Sequence, residues 1–226
     1  MRNNKRQIKA VIFDLDGTLI DSDKDILKII NYIRKNYLNK KKIDINRIAN
    51  YSAVGGKNLI KETINKKRPY FFLKIFRDLY KKQRIRENLI FPRVINLLKF
   101  LKKNKIKIFI CTNKPKYLTS RIVKNTNLNK YVNKYFCSDE YNYKKPDKRF
   151  FLQIYKKMNV NKNSILFIGD SMVDYKFCRN CLLEFVLFKN KRIKYPKKIY
   201  HKLLSSGKIL FNYKNINIFK HMFTDI

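Results

Sequence analysis

Asp14 and Asp16 stand one residue apart at the end of an apolar run, with Gly17 and Thr18 directly behind them. Two acids this close repel unless a proton or cation lies between them, and hard oxygen ligands of this kind suit Mg²⁺. The same pair also suits a strand-end turn whose acids are simply solvated. Gly17 reaches backbone angles that other residues avoid, so the chain can turn sharply there. Three further strand ends and turns carry polar groups. Thr112 ends the apolar run over residues 106–111 and offers a hydroxyl and a neighbouring backbone N–H for phosphate oxygens. Lys145, before Pro146, offers a fixed positive charge. Asp170 and Asp174 follow the run over residues 165–168 at a spacing of four, on one face of a starting helix. In an open parallel sheet ligands bind beyond the carboxyl ends of the strands, so these groups are expected at one mouth. His201 and His221 are the only histidines and lie far along the chain, which argues against acid/base work by imidazole.

The elements that must position these groups are legible as periodicities. Continuous apolar runs predict buried strands over residues 8–13, 106–111, 135–137, 165–168, 185–188 and 209–211. Ile26, Ile30, Ile33 and Tyr37 recur at helical spacing behind N-cap candidates at 21–25. Residues 44–51 and 57–66 read as two short helices joined by Val54-Gly55-Gly56, and Pro69 suits the first turn of another with Phe72, Ile75, Phe76 and Leu79 as its stripe. Val94, Leu97, Leu98 and Leu101 mark a helix, residues 116–126 another, and Phe150, Phe151, Ile154 and Met158 a third. Nothing from 22 to 88 has a strand pattern. The alternation elsewhere implies an α/β fold, a parallel sheet covered on both faces.

Asp14-Leu15-Asp16-Gly17-Thr18, Thr112, Lys145-Pro146 and Gly169-Asp170-x-x-x-Asp174, in this order and over nearly the whole chain, resemble the haloacid dehalogenase superfamily. The resemblance implies a Rossmann-like core domain over residues 1–20 and 89–226 and an inserted α-helical cap domain over 21–88. It also implies a phosphatase using Mg²⁺, in which Asp14 is the nucleophile and Asp16 the proton donor and then the base. Thr112, Asn113 and Lys145 would meet the substrate phosphate. Asp14, Asp170 and the backbone carbonyl of Asp16 would hold the metal, with Asp174 behind them. The superfamily's dehalogenases lack the second acid, so Asp16 favours a phosphatase. Asp21-Ser22-x-x-Asp25, Val54-Gly55-Gly56, Thr112-Asn113-Lys114-Pro115 and Lys144-Lys145-Pro146 are similar to the phosphoglycolate phosphatase branch. Phosphatases of nucleotides, sugar phosphates or pyrophosphate, and β-phosphoglucomutases, share much of this pattern. The small residues usual after the Asp170 motif are replaced around Arg179-Asn180-Cys181.

The loop Gly55-Gly56-Lys57 is the part of the cap expected to face the site. Gly56 would allow close backbone approach and Lys57 would meet a substrate carboxylate; a plain turn with a solvated lysine is the other reading. Cys178-x-x-Cys181 has no second Cys or His pair near it in sequence and reads as helix packing.

A net charge of +38 over 226 residues would ordinarily point to nucleic acid or an anionic membrane. Here Lys occurs 41 times, Ile 29 and Asn 26, against three Ala and no Trp, an imbalance that a strongly A/T-biased genome would produce without selection for a polyanion partner. The lysines are spread along the whole chain, so no specific nucleic-acid partner is expected; a nucleic-acid binder on an inactive scaffold is the rival reading. With only 16 acids in the chain, the five at positions 14, 16, 21, 23 and 25 are a concentration that chance rarely gives. The basic segment over residues 1–6 leads into no signal-peptide core, and no run is long enough for a membrane span. Four Cys do not make a disulfide scaffold. The expectation is a cytoplasmic enzyme of small phosphorylated metabolites, monomer or homodimer, with no membrane partner.

Overall fold

A computed structural model of the chain describes residues 7–52, 54–210 and 213. Strand β1 (Ala10–Phe13) is buried at all four positions. It lies inside a six-stranded sheet covered on both faces, which is why its sequence is apolar throughout rather than alternating. The order across the sheet is β3 (Lys134–Cys137), β2 (Lys107–Thr112), β1, β4 (Ile165–Gly169), β5 (Glu184–Phe188) and β6 (Ile209–Leu210), parallel at every pairing. Val11 and Phe13 pack with Ile108, Ile110, Leu166 and Ile168 on one face. Ala10 and Ile12 pack with Phe109, Cys111, Ile165 and Phe167 on the other, as the two-residue period of a strand requires. Because β2 and β4 flank β1, the winding reverses there, and such a reversal opens a crevice at the carboxyl ends. The expected α/β, Rossmann-like core is what the chain forms. Phe211, the end of the last expected strand, residues 1–6 and His221 lie outside the described residues.

Four helices separate β1 from the rest: α1 (Asp23–Leu38), α2 (Ile45–Ser52), α3 (Gly56–Thr63) and α4 (Pro69–Lys82). α1 buries Ile26, Ile29, Ile30 and Ile33. Tyr37, expected on that stripe, is instead 50% exposed. α3 stops at Thr63, three residues before the expected end, because the Asn65 carboxamide accepts from the backbone N–H groups of Lys67 (2.9 Å) and Arg68 (3.0 Å) and turns the chain. α4 starts on Pro69 as expected and buries Phe72, Leu73, Phe76 and Tyr80, one position round from the expected stripe. The core resumes with α5 (Val94–Lys103), α6 (Lys116–Asn125), α7 (Lys148–Tyr155), α8 (Met172–Cys181) and α9 (Lys197–Ser205). α9 was not anticipated: within it only Leu203 is fully buried, so its apolar period is faint among the lysines.

The helical unit leaves and rejoins the core at one place. Asp21 N–H donates to the Leu89 carbonyl (2.8 Å) and Phe91 N–H to the Leu19 carbonyl (3.0 Å), with Ile20 and Ile90 bridged antiparallel. The acids expected as N-caps hold this crossing together. Arg192 grips both carboxylate oxygens of Asp21 (2.6 and 2.9 Å) and reaches Asp23 (3.2 Å). Arg86 pairs with Asp25 (2.8 Å) and donates to the Asp21 carbonyl (2.5 Å). Asp23 and Asp25 also lie in the first turn of α1, where negative charge suits the helix dipole. The N-cap itself is Ser22, whose hydroxyl makes no cap bond and goes to Asp16.

Tyr213 stacks on Phe188 with ring centroids 4.5 Å apart and donates its hydroxyl to the Thr18 carbonyl (2.7 Å), fully buried. Tyr213→Phe keeps the ring and strands that carbonyl. We expect a loss of about 1–3 kcal/mol in stability by urea unfolding, with an unchanged m-value.

Candidate active site

The strand ends deliver their polar groups to the crevice beside β1. Asp14, Asp170 and Asp174 are all buried, and one carboxylate oxygen of each lies within 4.8 Å of the other two. Two glycines make this crowding possible. Gly17 has φ +83°, and a Cβ there would sit 2.0 Å from Asp170 Oδ2; at Gly169 a Cβ would sit 2.6 Å from Asp174 Cβ. Asp170 accepts from the Thr18 hydroxyl (3.2 Å) and the Asn190 carboxamide (3.5 Å), and its carbonyl accepts from Tyr195 (2.8 Å). Asp170 and Asp174 do not share a helix face as expected. α8 starts at Met172 with Ser171 as its cap, so Asp170 precedes the helix. Asp174 is turned back toward it by a capping box, its Oδ2 accepting from the Ser171 hydroxyl (2.5 Å) and N–H (3.2 Å).

Lys145 is the cation of this cluster. Its ammonium lies 2.9 Å from Asp14 Oδ1 and 2.6 Å from Asp174 Oδ1, with all three side chains buried. Asn113 makes two bonds to the Lys145 backbone: it accepts from the N–H (3.0 Å) and donates to the carbonyl (3.1 Å). Its carboxamide thus fixes the lysine in place, a job its place in the Thr112-Asn113 pair did not announce. Thr112 Oγ1 is buried and accepts from the Lys114 N–H (3.1 Å), tightening the turn after β2.

Asp16 is set apart from the other acids. Its carboxylate accepts from Lys114 Nζ at 2.9 and 3.1 Å and from the Ser22 hydroxyl at 2.6 Å. Lys114 in turn lies 4.6 Å from the ring of Tyr80, on α4. Lys114 stands in the Thr112-Asn113-Lys114-Pro115 motif, but nothing in the sequence pairs it with Asp16 or with Tyr80, which lies in a segment with no motif of its own. Beside them is a cavity of about 70 Å³ between the core loops and α1, α3 and α4. Asp16, Lys114, Asn113 and Gly56 are among the residues that line it. Lys57 is directed elsewhere, its ammonium 2.5 Å from the Tyr70 hydroxyl and 4.2 Å from the ring centroid.

Burial and neighbouring charge set the protonation of the cluster. Burial pushes the Asp14 carboxyl up to about 7; Lys145 opposes the rise and Asp174 adds to it. Burial, then Asp14 and Asp174, raise Asp170 well above the usual carboxylate range. For Lys145 burial pulls downward, but Asp14 and Asp174 outweigh it and keep the ammonium charged. One cation among three buried carboxylates leaves room for further positive charge, and an all-oxygen donor set is the kind Mg²⁺ takes. The residues therefore fit a hard divalent ion. Cys178 and Cys181 are free and buried on α8, burial raising both thiols, that of Cys181 to about 12. His201 lies exposed on α9.

The family model for haloacid dehalogenase-like hydrolases matches residues 11–188. Phosphoglycolate phosphatase from Psychrobacter arcticus is 29% identical over 78% of this chain and 81% of its own length. Phosphoglycolate phosphatase 1 from Pseudomonas aeruginosa is 25% identical over 74% of this chain, and the match spans 64% of that protein. The crystal structure of a predicted phosphoglycolate phosphatase from Haemophilus somnus 129PT superposes with a TM-score of 0.80 at 21% identity, covering 93% of this chain and 97% of that one, a likeness of fold.

The raised Asp14 and Asp170 give a stability profile with a definite sign. Between the unfolded value of 3.8 and the folded value of about 7, the folded chain holds a proton at Asp14 that the unfolded chain releases. Stability of metal-stripped protein should therefore fall as pH rises through that window. A divalent cation that replaces the proton stabilises the folded form by mass action. Thermal melts in chelator should show Tm falling from pH 5 to pH 8, and added Mg²⁺ should raise Tm more at pH 8 than at pH 5. A Tm indifferent to Mg²⁺ at pH 8 would count against a cation at the cluster.

Proposed function

The chain belongs to the haloacid dehalogenase-like hydrolases, and on that premise we propose that it is an Mg²⁺-dependent phosphatase of small phosphorylated metabolites, acting in the cytoplasm, with phosphoglycolate as the closest named substrate. The observation that carries this reading is the division between the two acids of the first motif. Asp14 lies in the three-carboxylate cluster on Lys145, whereas the Asp16 side chain lies on Lys114 and Ser22 beside the cavity. In this reading one acid reacts with phosphorus and the other serves the leaving group. The relatives named as phosphoglycolate phosphatases support the substrate, and the small cavity supports a small leaving group.

A phosphate monoester is an anion and is repelled by an anionic nucleophile until charge is neutralised. Mg²⁺ bound by Asp14, Asp170 and the Asp16 backbone carbonyl would supply that neutralisation, with Asp174 orienting the site from behind. Lys145 stabilises negative charge on the transferring oxygens, helped by the hydroxyl and backbone N–H groups at Thr112. Asp14 attacks phosphorus, and its new O–P bond forms as the ester bond breaks. Asp16, having taken up a proton from solvent before the ester bond breaks, gives it to the departing alkoxide. It then takes a proton from the water that attacks the aspartyl-phosphate, which releases phosphate and restores Asp14.

The two acids should therefore fail differently. Asp14→Asn should form no phosphoenzyme. Asp16→Asn should cut turnover of alkyl monoesters by about 10²–10⁴-fold. With p-nitrophenyl phosphate, whose leaving group needs little protonation, the Asp16 variant should accumulate phosphate on Asp14. Mass spectrometry of rapidly quenched protein reads this directly. Phosphate on another residue, or a phosphoenzyme in Asp14→Asn, would show that the nucleophile lies elsewhere.

A further inference from the structure

We infer that Arg77, on the helical unit, is the specificity-determining residue of this site and takes a carboxylate on the substrate's leaving group. The inference rests on the phosphatase reading and deepens it. Arg77 lines the same cavity as Asp16 and Lys114. α4 is pressed against the core there, since Phe76 and Tyr80 are buried and Tyr80 lies over the Lys114 ammonium. Arg77 follows Phe76 directly and is exposed at the rim of that contact.

The two cations of the cavity differ in what they have left to give. Lys114 is committed to both oxygens of Asp16, 2.9 and 3.1 Å away. Among the described residues Arg77 makes no hydrogen bond and no ion pair; its charge acts on the nearby Tyr117 hydroxyl, which burial raises and Arg77 lowers. Its five N–H donors are therefore available. The rest of the wall is largely apolar, with Ile26, Leu59, Leu73, Phe76 and Leu118. A leaving group that suits this cavity is a few atoms long and carries its charge at the end toward Arg77. A guanidinium presents a planar fork that matches a carboxylate with two parallel bonds, and a lysine does not. Lys57, the residue the sequence offers for this task, holds its ammonium on Tyr70 and does not line the cavity. A short phosphorylated carboxylic acid is the class of substrate that fits, and a sugar or nucleoside monoester is not.

The test compares 2-phosphoglycolate with p-nitrophenyl phosphate on native protein and three variants, in saturating Mg²⁺. Arg77→Met should lower kcat/KM for 2-phosphoglycolate about 10- to 100-fold, the loss expected of a charged hydrogen-bonded pair. It should leave p-nitrophenyl phosphate within about twofold. Arg77→Lys should recover part of the loss, and Lys74→Met, which removes a charge from the exposed side of the same helix, should change neither substrate. Equal losses on both substrates with Arg77→Met would overturn the inference, as would no loss on 2-phosphoglycolate. Native protein that cleaves p-nitrophenyl phosphate but not 2-phosphoglycolate would overturn it while leaving the phosphatase reading intact. Native protein that cleaves neither would overturn both.

Discussion

Lys145 puts one buried ammonium between Asp14 and Asp174, while Asp170 lies against them with only neutral donors, Thr18 and Asn190, among the described residues. Much else in the core serves this unequal balance. The parallel sheet brings β1 and β4 side by side, with Phe13 opposite Ile168, so that Asp14 and Asp170 leave neighbouring strand ends within a residue of each other. Gly17 and Gly169 leave out the side-chain carbon that would keep the carboxylates apart. Asn113 ties down the Lys145 backbone, and Ser171 holds Asp174. A buried charge with its partner removed is far costlier than the pair itself. The excess of negative charge is eased by protonation, since burial raises the Asp14 carboxyl to about 7, and it suits the cluster to a hard cation.

Asp16 needs the opposite treatment, and two residues away the fold provides it. Its carboxylate faces a cation of its own in Lys114, and Tyr80 covers that cation from the helical unit. The two acids of the first motif thus sit in separate ion pairs, one wholly within the core and one touched by α4. A change on the helices can reach the second pair without disturbing the first.

The sheet was legible because buried parallel strands are written as unbroken apolar runs, and β1, β2 and β4 each lie within a residue or two of where such runs predict them. The principal acids were legible because this chain has so few: in a lysine-rich background Asp14, Asp16, Asp170 and Asp174 stand out. The same background hid the cations. Arg77 does not differ in type or local pattern from its solvated neighbours, and Lys114, though it stands in Thr112-Asn113-Lys114-Pro115, carries no sign of its pairing with Asp16; only the fold tells which basic groups turn inward. Asp21, Asp23 and Asp25 were visible as a cluster, but their partners Arg86 and Arg192 come from distant segments, so their job at the crossing had no local signature. α9 escaped because a short helix with one deeply buried side chain has almost no period to read.

The crossing at Ile20 and Ile90 bears on how the chain can change over time. With Asp21 N–H on the Leu89 carbonyl at 2.8 Å, the two ends of the helical unit meet as the two arms of a tight turn would. Seen from the sheet, some seventy residues occupy the place of a short loop. Closing a longer loop between fixed ends costs entropy only logarithmically in its length. The insert can therefore lengthen, shorten or be rewritten residue by residue at little expense to the strands beneath it. A shift in nucleotide composition that recasts those helices in Lys, Asn and Phe leaves the frame on which Asp14 is mounted standing as before.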